Sequence, residues 1–228
     1  MSGKIASVIG STGMVGSSLL DQLLADDYFE TVRTLVRRPA TKQHPKQEVK
    51  LVDFSDMESV KLALDGSHTI FCCIGTTRKN VKGDNELYRK IDYDIPLNAA
   101  RLGKETGCEN FIIITAIGAD SKSGQFYLRL KGEVEDALAG MQVRTVHIFQ
   151  PSLLMGNRQE NRVMERAFQG LFKVINGMLF GGWRKYRGVQ GSTLAAAMIT
   201  AAKKEVPGFY RHTYDDIITL AAGAKVKA

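Results

Sequence analysis

The stretch Gly10-Ser11-Thr12-Gly13-Met14-Val15-Gly16 decides the fold. Before it, residues 4–9 form a short apolar run, the pattern of a buried strand. After it, Leu19, Leu20, Leu23 and Leu24 recur at helical spacing, so the glycines join a strand directly to a helix. Glycine allows a tight turn, close approach of the backbone to a pyrophosphate, and close packing of helix on strand. The start of the helix then offers unpaired N–H groups and the positive end of its dipole to an anion. The spacing is G-x-x-G-x-x-G rather than G-x-G-x-x-G. Its place between a buried strand and an amphipathic helix therefore carries the dinucleotide reading more than the glycine count does.

Working outward, residues 31–36 read as a second strand and 49–52 as a third. A helix opens at Ser55 and carries Met57, Val60, Leu62 and Leu64. Residues 68–74 form a fourth strand closing on Gly75, and a longer helix spans about 86–106 with a bend expected at Pro96. A fifth strand at 111–115, a helix at about 125–138 and a sixth strand at 143–149 follow. This alternation predicts an α/β protein with a Rossmann-type doubly wound parallel sheet covered on both faces. Beyond Pro151, helices are expected near 161–176 and 192–204, with a terminal element at 209–222. With no repeat or linker, residues 1–228 read as one domain, in which about 151–228 form a small helical appendage on the substrate side.

A chain of 228 residues buries roughly 70–75% of its unfolded surface, so its core needs no disulfide or metal. The composition, 44% hydrophobic and 24% charged, is that of a soluble globular protein. The net charge of +7 is dispersed, and its densest cluster, Trp183-Arg184-Lys185-Tyr186-Arg187, is short. A solvated surface with a few cations for cofactor phosphates is expected, and nucleic-acid binding is not. Cys72, Cys73 and Cys108 are odd in number and two are adjacent, which implies no disulfide framework and fits a reducing cytoplasm. His44, His68, His147 and His212 are scattered, so no metal site is expected, and Cys72-Cys73 read as buried strand residues. Neither a signal peptide nor an apolar run of transmembrane length is read. The apolar segment 170–183, followed by basic residues, leaves three readings open: a roof over a substrate pocket, a protein interface, or peripheral contact with a membrane surface.

Two short segments bear on the dinucleotide. The second strand ends in Val36-Arg37-Arg38-Pro39, where NAD enzymes usually carry a carboxylate for the ribose 2′-hydroxyl. Two guanidiniums suit a 2′-phosphate instead, so NADP(H) is expected over NAD(H). Asp53-Phe54, just past the third strand, lie where an adenine could sit. Asp53 either accepts from the adenine amino group or starts the helix near Ser55.

Tyr127 and Lys131 stand four apart on the helix that follows the fifth strand, hence on one face. Reduction of a carbonyl needs a hydride and a proton for the nascent alkoxide. An ammonium one turn from a phenol is expected to lower its pKa and ready it for acid–base work.

The glycine loop, the Tyr-x-x-x-Lys pair and the order of elements resemble the short-chain dehydrogenase/reductase superfamily. The segments Phe71-Cys72-Cys73-Ile74-Gly75-Thr76-Thr77-Arg78, Gly118-Ala119-Asp120, Lys131-Gly132-Glu133-Val134-Glu135 and Asn157-Arg158-Gln159-Glu160 resemble, more narrowly, the Tat-interacting-protein branch of its atypical members. The likeness covers roughly residues 1–165. It implies that Gly10, Thr12, Gly13, Met14 and Val15 line the pyrophosphate and that Arg37 and Arg38 meet the 2′-phosphate. Asp53 and Phe54 would flank adenine, with Cys73, Ile74, Gly75 and Thr76 along the ribose. Lys131 would bond the nicotinamide ribose, and Pro151, Ser152 and Leu153 would border the nicotinamide ring. The superfamily also places a serine or threonine near the end of the fifth strand to polarise the substrate oxygen. Here Thr115 can serve, while the neighbouring position is Ala116.

The sequence thus leads to an NADP(H)-dependent oxidoreductase acting on the carbonyl or alcohol of a small molecule, with Tyr127, Lys131 and Thr115 as its catalytic set. A second reading is a non-catalytic NADP(H)-binding regulator that controls a protein partner.

Overall fold

The computed structural model describes residues 3–39, 44–155 and 181–225. Its strands are β1 Ile5–Ile9, β2 Thr31–Val36, β3 Gln47–Leu51, β4 Thr69–Cys72, β5 Asn110–Ile114, β6 Thr145–Phe149, β7 Leu154–Met155, β8 Val189–Gln190 and β9 Gly208–His212. Its α-helices are α1 Met14–Leu24, α2 Met57–Leu64, α3 Asn85–Arg89, α4 Ile95–Glu105, α5 Phe126–Gly140, α6 Gly191–Ala202 and α7 Tyr214–Lys225. Seven strands pair in parallel in the order β3-β2-β1-β4-β5-β6-β9, and β7 with β8 form a small separate pair. This is the Rossmann-like α/β sheet expected from the alternation of elements.

The central strands β4 and β6 are buried along their whole length, because both faces of the sheet are covered. Alternate side chains serve opposite layers. Ala6, Val8, Phe71, Ile112 and Phe149 pack with Leu19 and Leu23 of α1, Leu194 and Met198 of α6, and Ile217 of α7. Ile9, Ile70, Cys72, Ile113 and Ile148 pack with Val60 and Leu64 of α2, Leu102 of α4, and Val134 and Leu138 of α5. Each such fully buried side chain contributes roughly 1.5–3 kcal/mol. The edge strand β3 is half-buried and charged; its Glu48 pairs with Arg33 and Lys50, which discourages pairing with another chain.

Local chemistry shifts some boundaries. Helix α2 begins at Met57, because Asp56 caps it by accepting from the N–H groups of Glu58 and Ser59. The helix expected over 86–106 is interrupted. Between α3 and α4 the residues Lys90–Asp94 form a π-helical turn, and the Ile95 N–H bonds back five residues to the Lys90 carbonyl. Proline at 96 has no N–H for the carbonyl four residues before it, and its ring crowds that carbonyl. The disruption therefore falls in the turn before Pro96 and not at the proline itself.

The C-terminal region does more than append helices. The expected helix at 192–204 is α6, and the element at 209–222 resolves into β9 and α7. β9 joins the main sheet with Thr145 opposite Gly208 and Phe149 opposite His212. There His147 Nδ1 and His212 Nε2 lie 2.9 Å apart, and Tyr210 stacks on His147. Burial holds His147 down at about 4, with His212 and Lys204 adding to it. The helix expected near 161–176, the Asn157–Glu160 motif and most of the 170–183 segment lie outside the described residues; Gly181–Tyr186 form a short 3-10 turn. Among the described residues, no helix is long and apolar enough to cross a membrane.

Candidate active site

Because the strands are parallel, every loop after a strand opens on one edge of the sheet. That edge gathers the sequence-predicted residues: Gly10–Val15 after β1, Arg37 and Arg38 after β2, Asp53 and Phe54 after β3, Cys73–Thr76 after β4, Thr115 after β5 and Pro151–Leu153 after β6. The strand order reverses between β1 and β4, which is where such sheets open a crevice.

The loop after β1 is built by close approach. Gly10 has φ +84°, and a Cβ there would stand 2.8 Å from the Cys73 carbonyl carbon and the Ile74 nitrogen. A Cβ on Gly16 would stand 2.0 Å from the Gly10 oxygen. The turn closes through the Gly13 N–H, which donates to the Gly10 carbonyl at 3.0 Å. Gly13 caps α1 without a side chain, so the first N–H groups of the helix are left for an anion. Thr12 and Gly13 are exposed and Met14 half-buried. Val15 is 5% exposed and its side chain packs in the core, so it can reach a phosphate only through its N–H. The cradle fits the pyrophosphate of a dinucleotide.

Arg37 and Arg38 are exposed directly beyond β2, adjacent to the cradle strand. Asp53 does not start a helix. Its Oδ1 accepts from the Ser55 N–H at 2.8 Å and the Ser55 hydroxyl at 2.6 Å, which holds its carboxyl below the usual range. Phe54 lines an open cleft of about 450 Å³ with Met57, Lys90, Tyr93, Ile95 and Asn98, whose aromatic walls suit a flat heterocycle.

The loop after β4 is clamped from beneath. The Thr76 N–H donates to Asp92 Oδ2 at 2.8 Å, and the Tyr88 hydroxyl donates to the Thr76 carbonyl at 3.0 Å. All three cysteines are free. Burial pushes the Cys72 and Cys108 thiols up to about 12 and Cys73 up as well, so none offers a thiolate at neutral pH. Among the described residues, no group of three or more His, Cys, Asp or Glu could hold a metal ion.

Tyr127 and Lys131 share one face of α5, as the spacing required. Tyr127 is 42% exposed as a residue, while Lys131 is 4% exposed. The Lys131 ammonium donates to Asp92 Oδ1 at 2.8 Å, and Asp92 is itself 1% exposed. The surroundings of Tyr127 overturn the expectation that it is shifted down. Burial is the largest influence and raises the phenol; Lys131 pulls it back, and Asp92 raises it again. The net direction is upward.

Thr115 is buried, and its hydroxyl donates to Glu135 Oε1 at 2.7 Å. Glu135 lies two turns beyond Tyr127 on α5. It also accepts from Gln150 at 2.8 Å and, through Oε2, from the Arg211 Nε at 2.7 Å. The structure thus ties Thr115 into a buried polar hub that joins β5, α5, β9 and the exit of β6. Its proton is committed there. Ala116 is buried beside it. Pro151 is buried, accepting from the Ile117 N–H at 3.1 Å, while Ser152 and Leu153 are exposed beyond it. Gly132 lets the loop 118–121 lie against α5: a Cβ there would stand 2.1 Å from the Ser121 nitrogen.

Sequence reasoning missed Asp92, Glu135, Gln150 and Arg211. Two signals were present. Tyr127, Lys131 and Glu135 repeat every four residues along one helix, and Asp92 precedes Pro96 by one turn.

Residues 10–148 match a family described as NAD(P)H-binding. The chain belongs to that family. Within it, the chain sits in the atypical short-chain dehydrogenase/reductase branch that its curated relatives represent. It is 31% identical to Protein HTATIP2 of Rattus norvegicus over 202 residues, 87% of this chain and 81% of that one. It is 34% identical to Protein FMP52, mitochondrial, of Debaryomyces hansenii over 177 residues, 77% of this chain and 78% of that one. In fold it is similar to MoeE5 solved in complex with UDP-glucose and NAD, with TM-score 0.69 and 14% identity, covering 97% of this chain and 81% of that one. A UDP-N-acetylglucosamine 4-epimerase from Methanobrevibacter ruminantium M1 is similar in fold, with TM-score 0.67, 15% identity and coverage of 96% and 81%. The likeness to these two is one of fold.

Proposed function

We propose that this chain is an NADP(H)-binding oxidoreductase that acts on the carbonyl or alcohol of a small molecule. The observation that carries the reading is the buried line from Lys131 through Asp92 to the Thr76 N–H, which fixes the Tyr127 helix against the loop beside the phosphate cradle. Gly10, Gly13 and the N–H groups of α1 would hold the pyrophosphate, and Arg37 and Arg38 the 2′-phosphate. The cleft at Phe54 would take the adenine, and Lys131, with donors to spare beyond Asp92, the nicotinamide ribose. Held by these residues, a nicotinamide dinucleotide would supply hydride chemistry for a substrate carbonyl. Tyr127 gives its phenolic proton to the substrate oxygen, and the resulting phenolate recovers a proton from water. Tyr127→Phe should abolish turnover across a panel of carbonyl substrates while NADPH binding persists. Turnover unchanged in that variant contradicts the mechanism.

A second reading is favoured by the commitment of the Thr115 hydroxyl to Glu135 and by Ala116. In it the chain is a non-catalytic NADP(H)-binding regulator whose cofactor state controls a protein partner. Tight NADPH binding with no turnover of any carbonyl in the panel selects this reading. Neither reading needs nucleic acid or a membrane. The buried free thiols suit a reducing compartment, and we place the chain in the cytoplasm. Relatives such as FMP52 are named mitochondrial, so recovery of the chain in a mitochondrial fraction contradicts that placement.

A further inference from the structure

Lys131 is a buried ammonium whose nearest partner is a buried carboxylate, and Tyr127 stands one turn away. The groups packed around this pair come from four elements. Tyr127 and Lys131 are on α5, Asp92 is on the π-helical turn, Tyr88 is on α3, and Cys72 ends β4. Arg89 and Glu133 also face each other across α3 and α5, but they neutralise one another. The π-helical turn is what aims Asp92 inward. Its carboxylate meets Lys131 with one oxygen and the Thr76 N–H with the other. The carboxylate therefore offsets part of the ammonium's pull on the phenol.

Resting on the oxidoreductase reading above, we infer that Asp92 is a positioning residue that offsets the charge of Lys131, so that Tyr127 in its buried setting is kept as a protonated donor and the site works toward reduction of a carbonyl. A lone ammonium one turn from a phenol favours the phenolate, which can take a proton from an alcohol. An ammonium already paired in a buried bridge favours it less. Burial is the largest influence on Tyr127 and raises it, and Asp92 adds to that rise against the pull of Lys131. Lys131 keeps its place and its remaining donors, and its pull on the phenol is reduced.

The test needs no substrate. Ultraviolet titration of phenolate absorbance, taken as the difference between the wild-type protein and Tyr127→Phe, reads the midpoint of Tyr127 alone. The wild-type midpoint should lie above about 10, the ordinary value for tyrosine. Asp92→Asn frees the lysine charge and should lower the midpoint by about one pH unit or more. The double variant Asp92→Asn/Lys131→Gln buries no unpaired charge, so it should fold where the single one does not, and its midpoint should match the wild type. A wild-type midpoint below 10, an unmoved midpoint in folded Asp92→Asn, or a double variant raised by about one pH unit or more overturns the inference. None of these readings depends on turnover. A chain that fails every substrate assay yet titrates as described loses the proposed activity and keeps the role of Asp92.

Discussion

The two sides of the crevice are held by different physics. On the β1–β4 side the phosphate cradle is almost all main chain: glycines at 10 and 16 let backbone meet backbone at distances no side chain tolerates. On the α5 side the site is built from side-chain charge, with Asp92 and Lys131 sealed in a buried bridge and Glu135 accepting from Thr115, Gln150 and Arg211. A cradle made of shape fails by steric clash, and a site made of charge fails by leaving one partner unpaired. The two sides should therefore break in different ways.

The largest effect belongs to the charged side. Lys131→Met leaves the buried Asp92 carboxylate without its counter-charge, which should cost about 3–5 kcal/mol of stability in urea unfolding. The double variant Asp92→Asn/Lys131→Met should recover most of it. Equal losses in both variants would show that the bridge is no coupled unit. On the cradle side, Gly16→Ala puts a methyl 2.0 Å from the Gly10 oxygen and should cost about 3 kcal/mol while removing NADPH binding. Retained binding would mean that the loop does not cradle phosphate.

Acid sharpens the contrast, since glycines do not titrate. The folded pKa of His147, about 4, is depressed below its ordinary value near 6.5 because burial penalises the charged ring. The unfolded chain thus binds the proton first, and stability is lost as pH falls from about 6.5 towards 4. Relative to His147→Leu, the wild-type protein should lose about 2–3 kcal/mol over that window. Parallel pH profiles for the two proteins would remove His147 from the account. The smallest effect is at the rim: Arg38→Ala should weaken NADPH about tenfold, about 1.4 kcal/mol, and leave NADH nearly unchanged.

The same contrast explains what was legible in the sequence. The cradle could be read from Gly10 to Gly16 because a steric demand is written as the absence of a side chain, at fixed spacing, between two periodic elements. The central strands could be read because both their faces are buried. The charged side could not. Asp92 comes from a π-helical turn whose only mark in sequence is Pro96, and Lys131 from a helix far along the chain. Their pairing is a tertiary fact, and so is the burial that reversed the expected direction for Tyr127. Thr115 was legible, but Glu135, which accepts the hydrogen bond of its hydroxyl, was not. β9 was seen only as part of a terminal element, since Gly208–His212 are only partly buried and show little alternation.

If the edge of this sheet holds a nicotinamide dinucleotide with a 2′-phosphate, fluorescence titration of the purified chain with NADPH and, in parallel, NADH will show it. NADPH should bind saturably at one site per chain, about tenfold tighter than NADH. No saturable binding of either dinucleotide would mean that the glycine cradle serves no cofactor.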